Sequence, residues 1–282
     1  MQKVKKLSKK IIFLIVFACI VGTIALTALG LAIGFWVADA DECWTPDYEM
    51  VDIEAVLDKQ TLTDEDYALL YAQTGLTRIG IDRALARPVV GKTRILKIQE
   101  DYFKPRVVSG SVFGPFVCTD YVDGRMTGIF LENGDIVVTS STHLSGWRMG
   151  HAGLVTNGAN NEILQSGVLG ETSTVGFMSD FSDRINFMVL TPKVEPELKK
   201  EVAAWALENL RGIEFSPFTG FFSDKQKTTK THCSHLVWYA YNHFGIDLDS
   251  NGGPLVASRD IFRSPYVDVV QVFGFDPEKL WY

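Results

Sequence analysis

Gly150-His151-Ala152-Gly153-Leu154-Val155-Thr156-Asn157-Gly158, followed by Ile163-Leu164-Gln165-Ser166, reads as two β-strands joined at a turn. Small and β-branched residues suit a pleated, buried surface, and Asn-Gly is a turn dipeptide because both residues tolerate positive φ. A hairpin centred near Gly158 pairs positions whose numbers add to 316, which sets Gln165 across from His151. Similar short runs flank it at 127–131, 135–139 and 185–190. Further on, a helix is expected from Pro196 to Gly212, burying Leu198, Val202, Trp205, Ala206 and Leu210 on one stripe. A second helix is expected from Cys233 to Gly245 through Leu236, Val237, Ala240 and Phe244. Strands followed by helices, without strict alternation, predict an α+β domain over 126–282.

Upstream the texture changes. Residues 39–125 read as a helical lead-in, with helices expected over 45–105. In one of them Thr63 is the N-cap, Asp64, Glu65 and Asp66 form the acidic first turn, and Gly75 is the stop. Residues 1–10 hold five lysines and no acid, and 11–38 contain no Asp, Glu, Lys, Arg or His. A helix over 11–38 would be roughly 42 Å long, more than the ~30 Å hydrocarbon core of a bilayer. It is expected to be an uncleaved membrane anchor, because the apolar region of a signal peptide is only about 7 to 15 residues. Residues 39–54 carry seven acids and no Lys or Arg, so the lysine-rich tail at 1–10 is expected in the cytoplasm and everything after Ala38 outside, on a single-pass protein of the cell membrane. Without the five N-terminal lysines the chain has 22 Lys+Arg against 34 Asp+Glu, a balance that excludes a nucleic-acid partner. In an oxidising compartment Cys43 and Cys118 are expected to pair, leaving Cys233 as the odd thiol.

Cys233 falls where an irregular segment turns into an amphipathic helix. Free N–H groups and the helix dipole favour an anion there, which suits a nucleophilic thiolate. His151, on a strand edge between glycines and alanine, is the candidate base, and Gln165 the candidate orienter of its other ring nitrogen. Glu162 is the alternative for that third role. His232 and His235 crowd Cys233, but their spacing matches no metal-site pattern, and neither a metal nor a cofactor is expected. His143 and His243 read as surface or loop residues.

Gly134-Asp135-Ile136-Val137-Val138, then Gly150 to Val155, then Cys233-Ser234-His235-Leu236-Val237-Trp238-Tyr239-Ala240-Tyr241, and Gly245-Ile246-Asp247-Leu248-Asp249 together resemble the circularly permuted NlpC-type papain-like amidases, the YycO/YiiX group. The resemblance covers about residues 126–276 and places the His strand before the Cys helix. It implies a papain-like (permuted NlpC-type) fold with Cys233 as nucleophile, His151 as base and a polar residue on the next strand as orienter. Members of the group often carry a carboxylate in that position, where this chain has an amide. The function expected is a membrane-anchored cysteine hydrolase of an amide bond, with cell-wall peptide (peptidoglycan) as substrate. The alternatives are a lipid or acyl-amide hydrolase or acyltransferase, and a catalytically silent membrane-tethered binding module.

Overall fold

The computed structural model describes residues 8–38, 43–113, 117–144 and 148–281. The first element, α1 (Lys9–Ala38), is one continuous helix, and its stretch Lys9–Ile33 is long and apolar enough to cross a membrane, with none of it buried in the rest of the protein. The lysines at 3, 5 and 6 and the acids at 39, 41 and 42, on which the expected orientation leans, lie outside the described residues.

Four helices follow: α2 (Glu54–Leu57), α3 (Asp64–Thr74), α4 (Arg78–Leu85) and α5 (Pro88–Tyr102). The boundaries of α3 obey the local chemistry. Thr63 and Asp66 form a reciprocal capping box, and Gly75 ends the helix at φ 68°, where a residue with a Cβ would be strained. Gly75 also lies so close to the Val272 carbonyl that a Cβ there would collide with it. The strands β1 (Val108–Phe113), β2 (Val117–Val122), β3 (Ile136–Thr139), β4 (Thr142–Leu144), β5 (His151–Asn157), β6 (Glu162–Gln165) and β7 (Thr174–Phe177) come next, then the short α6 (Ser179–Ser182), β8 (Phe187–Pro192), α7 (Pro196–Asn209), α8 (Cys233–Asn242), α9 (Ser258–Phe262) and β9 (Val267–Phe273).

The strands make an antiparallel six-stranded sheet in the order β7-β6-β5-β3-β8-β9 and a smaller sheet in the order β1-β2-β4. The chain is thus α+β. Alternation along the strands sends Ile136, Val138, Ala152, Leu154 and Leu190 to one face, where they pack with Val202, Val237 and Trp238 of α7 and α8. Val137, Val155, Ile163 and Val189 occupy the other face, in one core with Leu70, Ile81, Ile95 and Ile98 of the helical lead-in. The lead-in is therefore the second covering layer of the sheet. It is also joined to β9 by backbone: Val272 N donates to Gly75 O at 2.8 Å and Thr77 N to Val270 O at 3.1 Å. A buried ionic knot adds to the joint. Asp135, at the foot of β3 and fully buried, faces Arg83 of α4 and Lys199 of α7, and the Lys199 ammonium also reaches Glu132 at 2.7 Å.

Several expectations need correction. Residues 127–131 are not a strand, because their backbone is held by side chains: Thr127 N donates to Asp101 Oδ2 at 2.9 Å and Ile129 N to Gln271 Oε1 at 2.7 Å. The strands β1, β2, β4, β7 and β9 were not foreseen. His143 is not a surface residue; it is fully buried on β4 with its Nε2 3.2 Å from Asp120 Oδ1. No disulfide joins Cys43 to Cys118 in the described residues, and burial pushes the Cys43 thiol up to about 12.

Candidate active site

The helix α8 begins where it does because His232 caps it, its Nδ1 accepting from His235 N at 3.4 Å. Cys233 is then the first helical residue, at the end of the helix where the leading N–H groups have no carbonyl of the same helix to bond. At the far end of α8 the Tyr241 hydroxyl donates to Gly134 O, and Gly134 N donates to Val155 O near the end of β5. The helix and β5 therefore run in the same direction, and Cys233 and His151 lie at the same end of the sheet. That end also carries Thr139, Gln165 and Phe273, which close their strands in the register.

His151 is buried, and its ring stacks on Phe181 at a centroid distance of 5.3 Å and an angle of 19°. Its Nε2 lies 2.7 Å from Gln165 Oε1. The contact arises differently from the expected pairing. The turn spans residues 158–161 rather than centring on Gly158, which sets Asn157 opposite Glu162, and a bulge between Val155 and Asn157 then takes back one position, so Gln165 faces Gly153 rather than His151. The shift is two positions, which keeps Gln165 on the same face, and it reaches the ring diagonally past a residue that has no side chain. A Cβ on Gly153 would press into Ile163 and come 3.1 Å from the Phe181 ring.

Asp180, on α6, was not foreseen as part of this cluster. Its Oδ2 accepts from Gln165 Nε2 at 2.6 Å and from Phe177 N at 3.1 Å. A carboxylate only accepts, so it fixes the Gln165 amide with its oxygen toward the imidazole. His151 must then carry its proton on Nε2, leaving Nδ1 as the basic nitrogen. Burial first, and then the charge of Arg184, lower the His151 pKa to about 3, against a smaller opposing contribution from the Gln165 bond.

Arg184 is the second residue the sequence did not single out. Its Nε donates to Asp180 O at 2.6 Å, its Nη1 to Thr142 Oγ1 at 2.9 Å, and its guanidinium lies 5.5 Å from the Phe181 ring centre. It lies within electrostatic range of both His151 and Cys233. The Cys233 sulfur itself is 3.6 Å from Ser234 Oγ, and the thiol and the imidazole are not hydrogen-bonded to each other.

The neighbouring histidines have structural work. His235 is fully buried with Nδ1 2.9 Å from Thr231 Oγ1 and Nε2 donating to Lys225 O at 2.8 Å. His243 is exposed and stacks on Trp205 at 3.9 Å. Glu162 sits at the opposite end of β6 from Gln165, where its carboxylate accepts from Asn160 Nδ2 at 3.1 Å.

Over 142 residues the chain is 30% identical to the uncharacterized protein YycO of Bacillus subtilis (strain 168), a match that covers 49% of this chain and 54% of the relative. The chain thus spans about half the length of the curated relative it matches. No family model matches the chain, and no solved structure matches it.

Proposed function

We propose that this end of the sheet is the active site of a cysteine hydrolase that cleaves an amide by acyl transfer, built on a permuted papain-like scaffold. One observation carries the reading: the Asp180–Gln165–His151 chain of hydrogen bonds locks a buried imidazole in the tautomer whose free nitrogen is Nδ1. The strand carrying that imidazole starts at the sheet end where α8 presents Cys233.

In this mechanism the Cys233 sulfur attacks the substrate carbonyl carbon while its proton passes to His151 Nδ1. The oxyanion that forms is held by the N–H groups of the first turn of α8. The imidazolium then protonates the departing amine, and a thioester remains on Cys233. Water, deprotonated by Nδ1, hydrolyses that thioester and restores the thiol. Gln165 Oε1 accepts the Nε2 proton throughout, and the carboxylate of Asp180 behind it makes that amide oxygen a stronger acceptor than an isolated amide. This supplies at one remove the carboxylate that members of the resembled group often carry in the orienting position. The substrate class proposed is a peptide or acyl amide outside the cytoplasm.

A membrane-tethered binding module is the second reading. It is favoured by the bond of the thiol to Ser234 rather than to the imidazole. Alkylation by iodoacetamide across pH separates the two. A hydrolase thiol reacts faster near neutral pH than a free cysteine, and the rate falls in His151→Ala. A rate equal to that of free cysteine, unchanged by His151→Ala, would reject the hydrolase.

A further inference from the structure

The loop that leads into α8 exposes three phenylalanines side by side. Phe218, Phe221 and Phe222 are 53%, 61% and 78% exposed, with ring centroids 5.4 Å apart for Phe218–Phe222 and 4.9 Å for Phe221–Phe222. Large aromatic side chains grouped on a surface mark a contact with something apolar. The loop is anchored at its base. Ser216 N donates to Thr231 O at 2.8 Å, Thr219 is buried, and the Gly220 backbone sits against the Pro254 carbonyl. The phenylalanines are thus presented by a seated turn.

Their position in the fold points to what they meet. Thr172 bridges to Glu214 just before β7 begins, and β7 begins opposite Gln165, so the loop projects from the sheet end that carries His151 and Cys233. The chain coming from α1 enters at that same end. Trp44 N donates to Gly274 O at 3.2 Å, immediately after β9 closes at Phe273 opposite Phe187. Only residues 39–42 separate α1 from the buried Cys43, a span of roughly 18 Å at full extension. A membrane that holds α1 therefore holds this end of the sheet close to its surface. Leu169, 73% exposed, adds a fourth apolar side chain in the turn beside Gly167, which itself lies against the His151 ring.

We infer that the 216–222 loop is a bilayer-contact surface, its phenylalanines seated at the headgroup–acyl boundary of the membrane that α1 is long enough to cross. The contact is apolar, since Lys225 and Lys230 nearby are paired with Asp249 and Glu214. It turns the mouth of the site toward lipid. Taken with the hydrolase reading, on which this clause rests, it selects amides carried at a membrane surface over soluble peptides.

The test uses the full chain in vesicles of phosphatidylcholine containing a phospholipid with a photoreactive diazirine in its acyl chain. Cross-linked peptides are mapped after illumination. Adducts are expected on 216–222 as well as on α1, unchanged at high salt, and the triple variant Phe218→Ser, Phe221→Ser, Phe222→Ser should keep those on α1 and lose those on the loop. A Phe222→Leu variant should retain them, and an unchanged melting temperature in the triple variant checks its fold. Adducts confined to α1 in the wild type would overturn the inference, as would a loop labelled equally in the triple variant or shielded only by a second copy of the chain at high protein density. None of these readings involves Cys233, so an unreactive thiol would sink the hydrolase and leave the membrane contact standing.

Discussion

Gln165 and His151 are in hydrogen-bond contact across a diagonal of the β5–β6 ladder, 2.7 Å apart, with Gly153 as the residue directly opposite the glutamine. The orientation of that amide is set from behind by Asp180. Asp180→Asn is therefore expected to do more than weaken a bond. An asparagine can donate as well as accept, so the Gln165 amide is free to turn its nitrogen toward the ring and force the imidazole proton onto Nδ1. The base is then lost in that fraction of molecules. Turnover should fall by about ten- to a hundredfold with little change in KM, the scale typical of residues that orient a functional ligand. Equal kcat in the variant would contradict the tautomer assignment.

Cys233→Ala and His151→Ala should each reduce turnover to background while leaving the melting curve cooperative. Gln165→Ala should retain partial activity, because an orienting residue contributes less than a nucleophile or a base. Residual turnover in Cys233→Ala comparable to wild type would remove the cysteine from the mechanism.

Gly153→Ala adds one methyl group against Ile163 and Phe181. Overpacking of this kind costs about 1–3 kcal/mol. The Phe181 ring, displaced, no longer stacks on His151, so activity should fall as well. Chemical denaturation and turnover measured on the same preparation check both, and a variant of wild-type stability would mean that the ring has room to move.

The burial of Asp135 between Arg83 and Lys199 gives a sharper stability prediction. Asp135→Ala leaves two cations facing a site from which water is excluded. Removing one partner of such a cluster costs about 3–5 kcal/mol. Denaturant unfolding should show this loss, and a cost below about 1 kcal/mol would show that water or a rearranged Glu132 compensates the lysine and arginine.

Acid should destabilise the domain through its buried imidazoles. Burial holds both His151 and His232 neutral, with pKa values lowered to about 3 from an ordinary 6.5. Between those values the unfolded chain takes up protons that the folded chain refuses. The stability they contribute is thus complete above about pH 6.5 and lost as the pH falls toward 3. Each histidine adds a slope of up to ~1.4 kcal/mol per pH unit. His232→Asn keeps a side chain able to cap α8 and should flatten the slope measured by thermal melts between pH 6 and 4 (about two units of that window). An unaltered slope would show that His232 is protonated in the folded state.

The parts of the fold legible in the sequence were those set by near neighbours. Thr63, Asp66 and Gly75 bound α3 through contacts within the helix and its ends, and the start of α8 at Cys233 follows from a cap one residue before it. The hairpin register was off by two positions because the turn takes in residues 158–161, which moves the pairing by three, and the bulge at Val155–Asn157 restores one. The face of Gln165 survived that error only because the shift was even. Residues 127–131 have the composition of a strand, yet their backbone partners are the side chains of Asp101 and Gln271, the latter 142 residues from Ile129. Asp180 and Arg184 gave no local signal at all. They matter because β7 and α6 fold back beside β6, which no spacing within 179–184 announces.

The backbone joint between the lead-in and the last strand governs when the molecule can fold. Thr77 N donates to Val270 O across 193 residues of chain. That joint can close only after β9 has been synthesised, by which time α1 and the other strands of the sheet are already made. Pairing over such separations makes folding slow. A chain built this way leaves the union of its first helices with its last strand to the end of synthesis.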